Sequence, residues 1–372
     1  MRDIGEVTTE GVRDILNAIN AGIYITDRDR KILFWNRQAE KITGYRASAV
    51  VKRRCADGIL QHNDKDGRPL CSTELCPLER SMATGKPTES PVVVYALSAR
   101  GVRIPLSTMC APIHDEEGNV IGGVEIFRDS TQELRDMELA RVAQRQMLNF
   151  ELPQDERISF DLHYAPLAMI GGDFFHVRKV SDDVFAVLLA DVAGHGISSA
   201  LYTALLHSLV DECAGAMDDA AAFLTAVNVR ICTRVPNIGF ITALAANFDA
   251  ATHAVRYCCA GHPGPLLQSP SGDVVQLEST HYPLGVQMDS EYENTETKME
   301  KGQRLLAYTD GAVEIRIDKE RRLNVAGLIS LVEALPPKGG EHRLGTLYGN
   351  LIQRSISPIP EDDITLLSCM LL

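Results

Sequence analysis

Along residues 10–130, apolar positions come in short runs separated by charged or Gly-containing turns. Gly22 to Asp27 and Lys31 to Trp35 are rich in β-formers and flank Arg28-Asp29-Arg30, which predicts two strands. Asn36 to Thr43 reads as a short helix that Gly44 ends. Pro91 to Leu97, Arg103 to Ala111 and Asn119 to Phe127 are three further strand candidates, with turns at Ala99-Arg100-Gly101 and Asp115-Glu116-Glu117-Gly118. Two strands, small helices and a three-stranded meander predict a small α+β module.

The pattern changes at residues 129–150, which read as one helix with no Gly or Pro inside it. Asp129 or Ser130 can cap it, and Glu133 stands three after Ser130 as in a capping box. Met137, Ala140, Ala143 and Met147 make a narrow apolar seam, too short for an independent coiled coil. Two uses stay open: packing on the chain's own domains, or pairing in a homodimer.

From residue 151 the runs become longer and more apolar. Ile158 to Ala165, Asp173 to Val180, Val184 to Asp191, Phe240 to Phe248, His253 to Ala260, Gln303 to Thr309 and Ile364 to Leu371 are strand candidates. Ile197, Leu201, Leu205 and Leu209 recur every four residues, so a helix follows the third of these strands. Antiparallel runs with helices set among them predict an α+β layered sandwich of antiparallel sheets, not βαβ winding. The expected division is 10–128, a linker helix 129–150, and 151–372.

Composition narrows the class. The chain has 372 residues, 45% hydrophobic and 23% charged, which suits two or three globular domains. No apolar run approaches a membrane span, and the first residues lack a signal-peptide layout. Nine scattered cysteines, with Cys258 and Cys259 adjacent, fit reduced thiols and a cytoplasmic location. The net charge of −13 argues against nucleic acid as a partner. All of that excess lies after residue 150.

Spacing decides which carboxylates matter. If the hairpin of 173–191 turns about residue 182, Asp173 and Asp191 are direct cross-strand partners. Two carboxylates so placed repel unless something positive lies between them. Asp310 ends another strand, and Asp362 and Asp363 open the last. Each alone reads as a turn residue or a helix cap. Together, at the ends of apolar strands, they point to an oxygen-ligand site for Mg²⁺ or Mn²⁺.

Two resemblances follow from longer stretches. GIYITDRDRKILFWNRQAEKITGY and GVRIPLSTMCAPIHDEEGNVIGGVEIFRD resemble the two ends of a PAS domain, over about residues 10–130. MIGGDFFHV, LLADVAGHGISSALYTALL, CCAGHPGPLLQ, YPLGV, LLAYTDGAVEIR and EDDITLLSCML occur in the order expected of SpoIIE-like PPM phosphatases, bacterial metal-dependent protein serine/threonine phosphatases. The resemblance implies two divalent ions that activate a bridging water. It implies catalytic and metal-ligating roles for Asp173, Asp191, Asp310 and Asp362, a backbone carbonyl ligand at Val192, and Asp363 as a further candidate. It also implies a phosphorylated STAS-type anti-sigma-factor antagonist as substrate, a PAS sensor in front, and dimers through the flanking helices. Ser198 and Ser199 depart from the family's usual Pro and Ala without removing a ligand. His195 and His262 read as loop-fixing residues, with His195 alternatively a proton donor, and Glu314 as a support for the metal site.

Other readings compete. Gly171-Gly172-Asp173-Phe174-Phe175 resembles the Gly-Gly-Asp-Glu-Phe loop of diguanylate cyclases, but Phe174 replaces the Glu. A phosphatase fold acting only as a binding switch is the non-enzymatic alternative. In the first module Cys55, His62, Cys71 and Cys76 offer four soft ligands within 22 residues, for Zn²⁺, an iron–sulfur cluster or haem, or simply a core of buried thiols.

Overall fold

The computed structural model describes residues 9–71, 73, 75–89, 93–148, 150–194, 196–235, 239–335, 343–357 and 360–372. The chain divides into two compact units between Asp136 and Met137, inside the helix Thr131–Met147. Asp129 caps that helix by accepting from the Thr131 amide at 2.8 Å.

The first unit carries an antiparallel sheet in the order Ile32–Trp35, Gly22–Asp27, Val120–Asp129, Arg103–His114 and Thr88–Glu89, with Val94–Leu97 also paired to Arg103–His114. Residues 90–92, where the sequence predicted the start of the third strand, lie outside the described residues. Asn36 organises the first hairpin. Its Oδ1 caps the helix Arg37–Thr43 through the Ala39 amide and also accepts from Ile23, while Nδ2 donates to the Leu16 and Ala21 carbonyls. Gly44 stops the helix because its backbone is left-handed, φ 78°. Tyr24, Trp35, Leu78, Leu106 and Phe127 fill the core between sheet and helices.

The second unit holds two five-stranded antiparallel sheets. One runs Thr295–Lys298, Ala254–Ala260, Ile241–Asp249, Val184–Val192, Asp173–Lys179. The other runs Val274–Gln276, Leu266–Gln268, Arg304–Tyr308, Ile364–Leu371, Ile158–Ala165. Alternation along the strands shows the layering. Leu305 and Ala307 join the larger core, which reaches the first sheet and the helices Ile197–Glu212 and Ala220–Arg234. Leu306 and Tyr308 face the other way, under the helices Asn324–Glu333 and Arg343–Arg354. Burial on both faces explains why these strands read as unbroken apolar runs. Likewise Phe174 meets His207 on the outer helix, while Phe175 meets Tyr164 of the opposite sheet. Residues of Phe175's parity, Asp173 among them, therefore point between the sheets.

Candidate active site

Asp173 and Asp191 are paired directly across the hairpin, as the symmetric turn about residue 182 predicts. Asp310 follows the strand Arg304–Tyr308, and Asp362 and Asp363 precede its antiparallel neighbour Ile364–Leu371. All five acids thus stand at one end of the sandwich. Asp173 is buried, with 1% of its surface exposed, and Asp191, Asp310 and Asp362 are half-buried.

Hydrogen bonds separate their roles. Thr309, just past the strand Arg304–Tyr308, and Thr365, on its neighbour Ile364–Leu371, donate to Asp173 Oδ2 at 2.9 and 2.5 Å. Asp173 Oδ1 is buried and has no hydrogen-bond partner. Asp363 is buried too, but both its oxygens are occupied: they accept from the Leu167 and Gly172 amides at 2.6 and 2.5 Å. Asp363 thereby holds the Gly-Gly-Asp loop against the second sheet. A side chain at Gly311 would meet the Asp363 carbonyl at 2.0 Å, so only glycine lets Asp310 sit this close. A Cβ at Gly172 would stand 3.0 Å from the Val192 carbonyl, which places that oxygen beside the same loop.

The electrostatics are those of crowded carboxylates. Burial, then Asp191 and Asp363, hold the Asp173 carboxyl well above the usual range. Burial, then Asp310, Asp362 and Asp363, push Asp191 up to about 7. Burial and then Asp362 raise Asp310, and burial raises Asp363 against the two amides it accepts from. An unpartnered buried oxygen and mutually repelling carboxylates fit hard divalent cations, whose preferred ligands are oxygens. Among the described residues no three His, Cys, Asp or Glu side chains close to ligand spacing around one point. The grouping is therefore one of topology and charge, not a finished coordination sphere.

His262 is a structural tie. It is buried, its Nδ1 lies 2.9 Å from Thr242 Oγ1, and its Nε2 lies 3.1 Å from the Tyr308 carbonyl. Thr242 is the cross-strand partner of Asp191, so the ring joins the first sheet to the strand that leads into Asp310. Burial keeps it neutral, lowering its pKa to about 4. Glu314 turns to Arg322 in an ion pair. His195 lies outside the described residues. Thr309, Thr365 and His262's bridging role are supports that spacing alone does not reveal, although Thr309-Asp310 and Asp363-Ile364-Thr365 place both threonines beside the acids.

In the first unit Cys55, His62, Cys71 and Cys76 do come together. They line one small cavity with Tyr24, Arg30, Ala56 and Leu60. His62 Nε2 faces Glu125 Oε1 at 3.7 Å, both buried and without a hydrogen bond, and Tyr24 donates to Glu125 Oε2 at 2.6 Å. Burial pushes the Cys55 thiol up to about 12 and Cys71 to about 11, and raises Cys76. These sulfurs are core thiols in character, gathered but not closed to ligand spacing.

Comparison with known proteins agrees with this architecture. A family model described as Stage II sporulation protein E (SpoIIE) matches residues 181–371, just over half of the chain. A PAS fold model matches residues 16–135. Phosphoserine phosphatase RsbU of Bacillus subtilis (strain 168) is 25% identical over 245 residues, covering 65% of this chain and 72% of that protein. Phosphoserine phosphatase RsbP of the same organism is 29% identical over 184 residues, 48% of this chain and 45% of its own length. The SiaA-PP2C domain of Pseudomonas aeruginosa shares the fold with a TM-score of 0.58 at 19% identity, over 65% of this chain and 99% of that domain. The RsbU and RsbW domains of Rv1364c from Mycobacterium tuberculosis share it at 0.52 and 24% identity, over 61% of this chain and 63% of theirs. Gly171 and Gly172 lead into the strand Asp173–Lys179 of this sandwich, not into a cyclase loop. The chain belongs to the SpoIIE family of phosphatases and carries a PAS fold ahead of the phosphatase domain.

Proposed function

We propose that this chain hydrolyses phosphoserine or phosphothreonine on a signalling protein, with two divalent cations, Mn²⁺ or Mg²⁺, held at the acidic end of the sandwich. The observation that carries this reading is the in-register Asp173–Asp191 pair, joined there by Asp310 and Asp362. Asp173, Asp191, Asp310, Asp362 and the Val192 carbonyl would hold the cations, with Asp363 positioning the Gly-Gly-Asp loop. Bound there, two cations supply Lewis-acid activation of water and neutralise the phosphoryl oxygens. Thr309 and Thr365 fix one oxygen of Asp173 and leave the other free to ligate. His262 keeps the two sheet ends in register without changing charge near neutral pH. No cysteine would be needed as nucleophile, because the cations would supply an activated water for attack on phosphorus.

The phosphoserine phosphatases among the relatives support serine as the substrate residue. A STAS-type anti-sigma-factor antagonist is the proposed protein, by family resemblance, with sigma-factor release by partner switching as the outcome. The PAS unit is the proposed sensor, and the helix Thr131–Met147 its link to the catalyst, with the domain limits 10–128, 129–150 and 151–372. Leu139, Val142 and Met147 are exposed on that helix, while Met137 and Ala140 are half-buried. A dimer seam would therefore run along Leu139, Ala143 and Met147. Among the described residues no helix is long and apolar enough to cross a membrane.

The test is phosphate release from phosphoserine, phosphothreonine and phosphotyrosine proteins in Mn²⁺. Release from the first two, lost in Asp191→Ala, is expected. Equal release by Asp191→Ala would overturn the assignment and favour a fold that only binds.

A further inference from the structure

The helix Thr131–Met147 is polar and largely exposed, and among its described residues Gln144 alone is buried, at 6% of its surface. A buried carboxamide is costly unless its donors and acceptor are used. Gln144 uses both ends. Nε2 donates to the Gly171 carbonyl at 2.7 Å and to Thr203 Oγ1 at 3.0 Å, and Oε1 accepts from the Gly171 amide at 3.2 Å. The side chain pairs with both polar groups of one peptide residue, as a neighbouring strand would.

Gly171 stands two residues before Asp173. No side chain fits there: a Cβ would lie 2.5 Å from the Tyr164 hydroxyl and 2.8 Å from Asp363 Oδ2. The loop must therefore be held by its backbone. Asp363 holds the Gly172 amide from the second sheet, and Gln144 holds Gly171 from the helix. Thr203 lies on the helix Ile197–Glu212, which follows Asp191 and Val192. One carboxamide thus touches the loop before Asp173 and the helix after Asp191. Simple anchoring needs no amide, since Leu148, four residues on, is buried in the large apolar core.

We infer that Gln144 is a positioning residue for the acidic site: it fixes the Gly171–Asp173 loop to the linker helix, so that the helix's placement sets the site's capacity for divalent cations. This rests on the two-cation reading above. Partners that orient ligands typically change metal affinity by about 10- to 100-fold when removed. Gln144→Met keeps length and removes all three hydrogen bonds.

The experiment is calorimetric Mn²⁺ titration of the full chain after chelation, beside amide exchange of residues 171–173 in the metal-free protein. For Gln144→Met we expect a Mn²⁺ dissociation constant raised at least ~10-fold, activity recovered at high Mn²⁺, and faster exchange at 171–173. Wild-type exchange and wild-type affinity in a folded Gln144→Met would overturn the inference. Should that variant not fold, Thr203→Val removes one bond of three, and a weaker affinity there supports the clamp while an unchanged one overturns it. Wild-type protein that binds no Mn²⁺ overturns the cation reading itself. The exchange rates then decide the clamp separately: faster exchange in the variant supports it, and equal exchange rejects it.

Discussion

Each unit of this chain gathers ionisable side chains, and the two groups differ in chemistry and in their access to water. The PAS unit sets Cys55, Cys71, Cys76 and His62 about a small cavity inside its fold, with Glu125 buried beside His62. The phosphatase unit sets Asp191, Asp310 and Asp362 half-exposed at a sandwich end, above the buried Asp173 and Asp363. In the first, burial favours neutral thiols, a state an apolar core tolerates. In the second, the carboxylates repel each other and water can deliver a cation to relieve them. Proximity is common to both; solvent access and charge make only the second a candidate for hydrolysis.

The largest expected effect separates the groups directly. Asp191→Ala should lower phosphate release by at least ~10³-fold, about 4 kcal/mol of barrier. Cys55→Ser should leave unstimulated release within about threefold, well under 1 kcal/mol of barrier. A comparable loss from both would erase the distinction.

Stability against pH sharpens it next. Burial and the neighbouring carboxylates push Asp191 up to about 7 from its ordinary 3.8, so folding favours its protonated form. That contribution is complete below pH ~4 and is lost as pH rises through about 7. Thermal unfolding of chelated protein should therefore move to lower temperature between pH 5 and 8, by a few degrees on the usual scale. Asp191→Asn should reduce that dependence, and Mn²⁺ should reverse it. An identical pH slope in the variant would contradict the crowding argument.

Smaller effects come from the supports. Thr365→Val removes one of two hydroxyls on the buried Asp173 oxygen, a loss of about 1–3 kcal/mol in stability. Chemical unfolding measures it, and a neutral result would mean that Thr309 alone suffices. Smallest is the elemental content of the full chain stripped with a mild chelator. We expect zinc and iron well below one equivalent; a stoichiometric transition metal lost in Cys55→Ser would make the PAS cavity a metal site.

The strands and the linker helix were legible because period and turn chemistry are local. The hairpin register followed from symmetry about residue 182, and with it the Asp173–Asp191 pair. Helices such as Ala220–Arg234, Asn324–Glu333 and Arg343–Arg354 are not legible in the same way, since their apolar faces are set by sheets distant in sequence. The expected seam of Met137, Ala140, Ala143 and Met147 is not uniformly exposed for a similar reason: Met137 and Ala140 are half-covered, whereas Ala143 and Met147 are exposed. Asp363 reads as a further ligand candidate by position, while the amides its oxygens accept from, Leu167 and Gly172, lie almost 200 positions away and are not legible in the sequence. Gln144 gave no signal, because a glutamine on a polar helix reads as surface until the loop it meets is known.

Whether the acidic sandwich end is a cation-dependent hydrolytic site is decided by phosphate release from a phosphoserine protein, measured with the chelated chain titrated with Mn²⁺. No release is expected in excess chelator, and release should rise and saturate with added Mn²⁺. Full release in excess chelator would contradict that dependence.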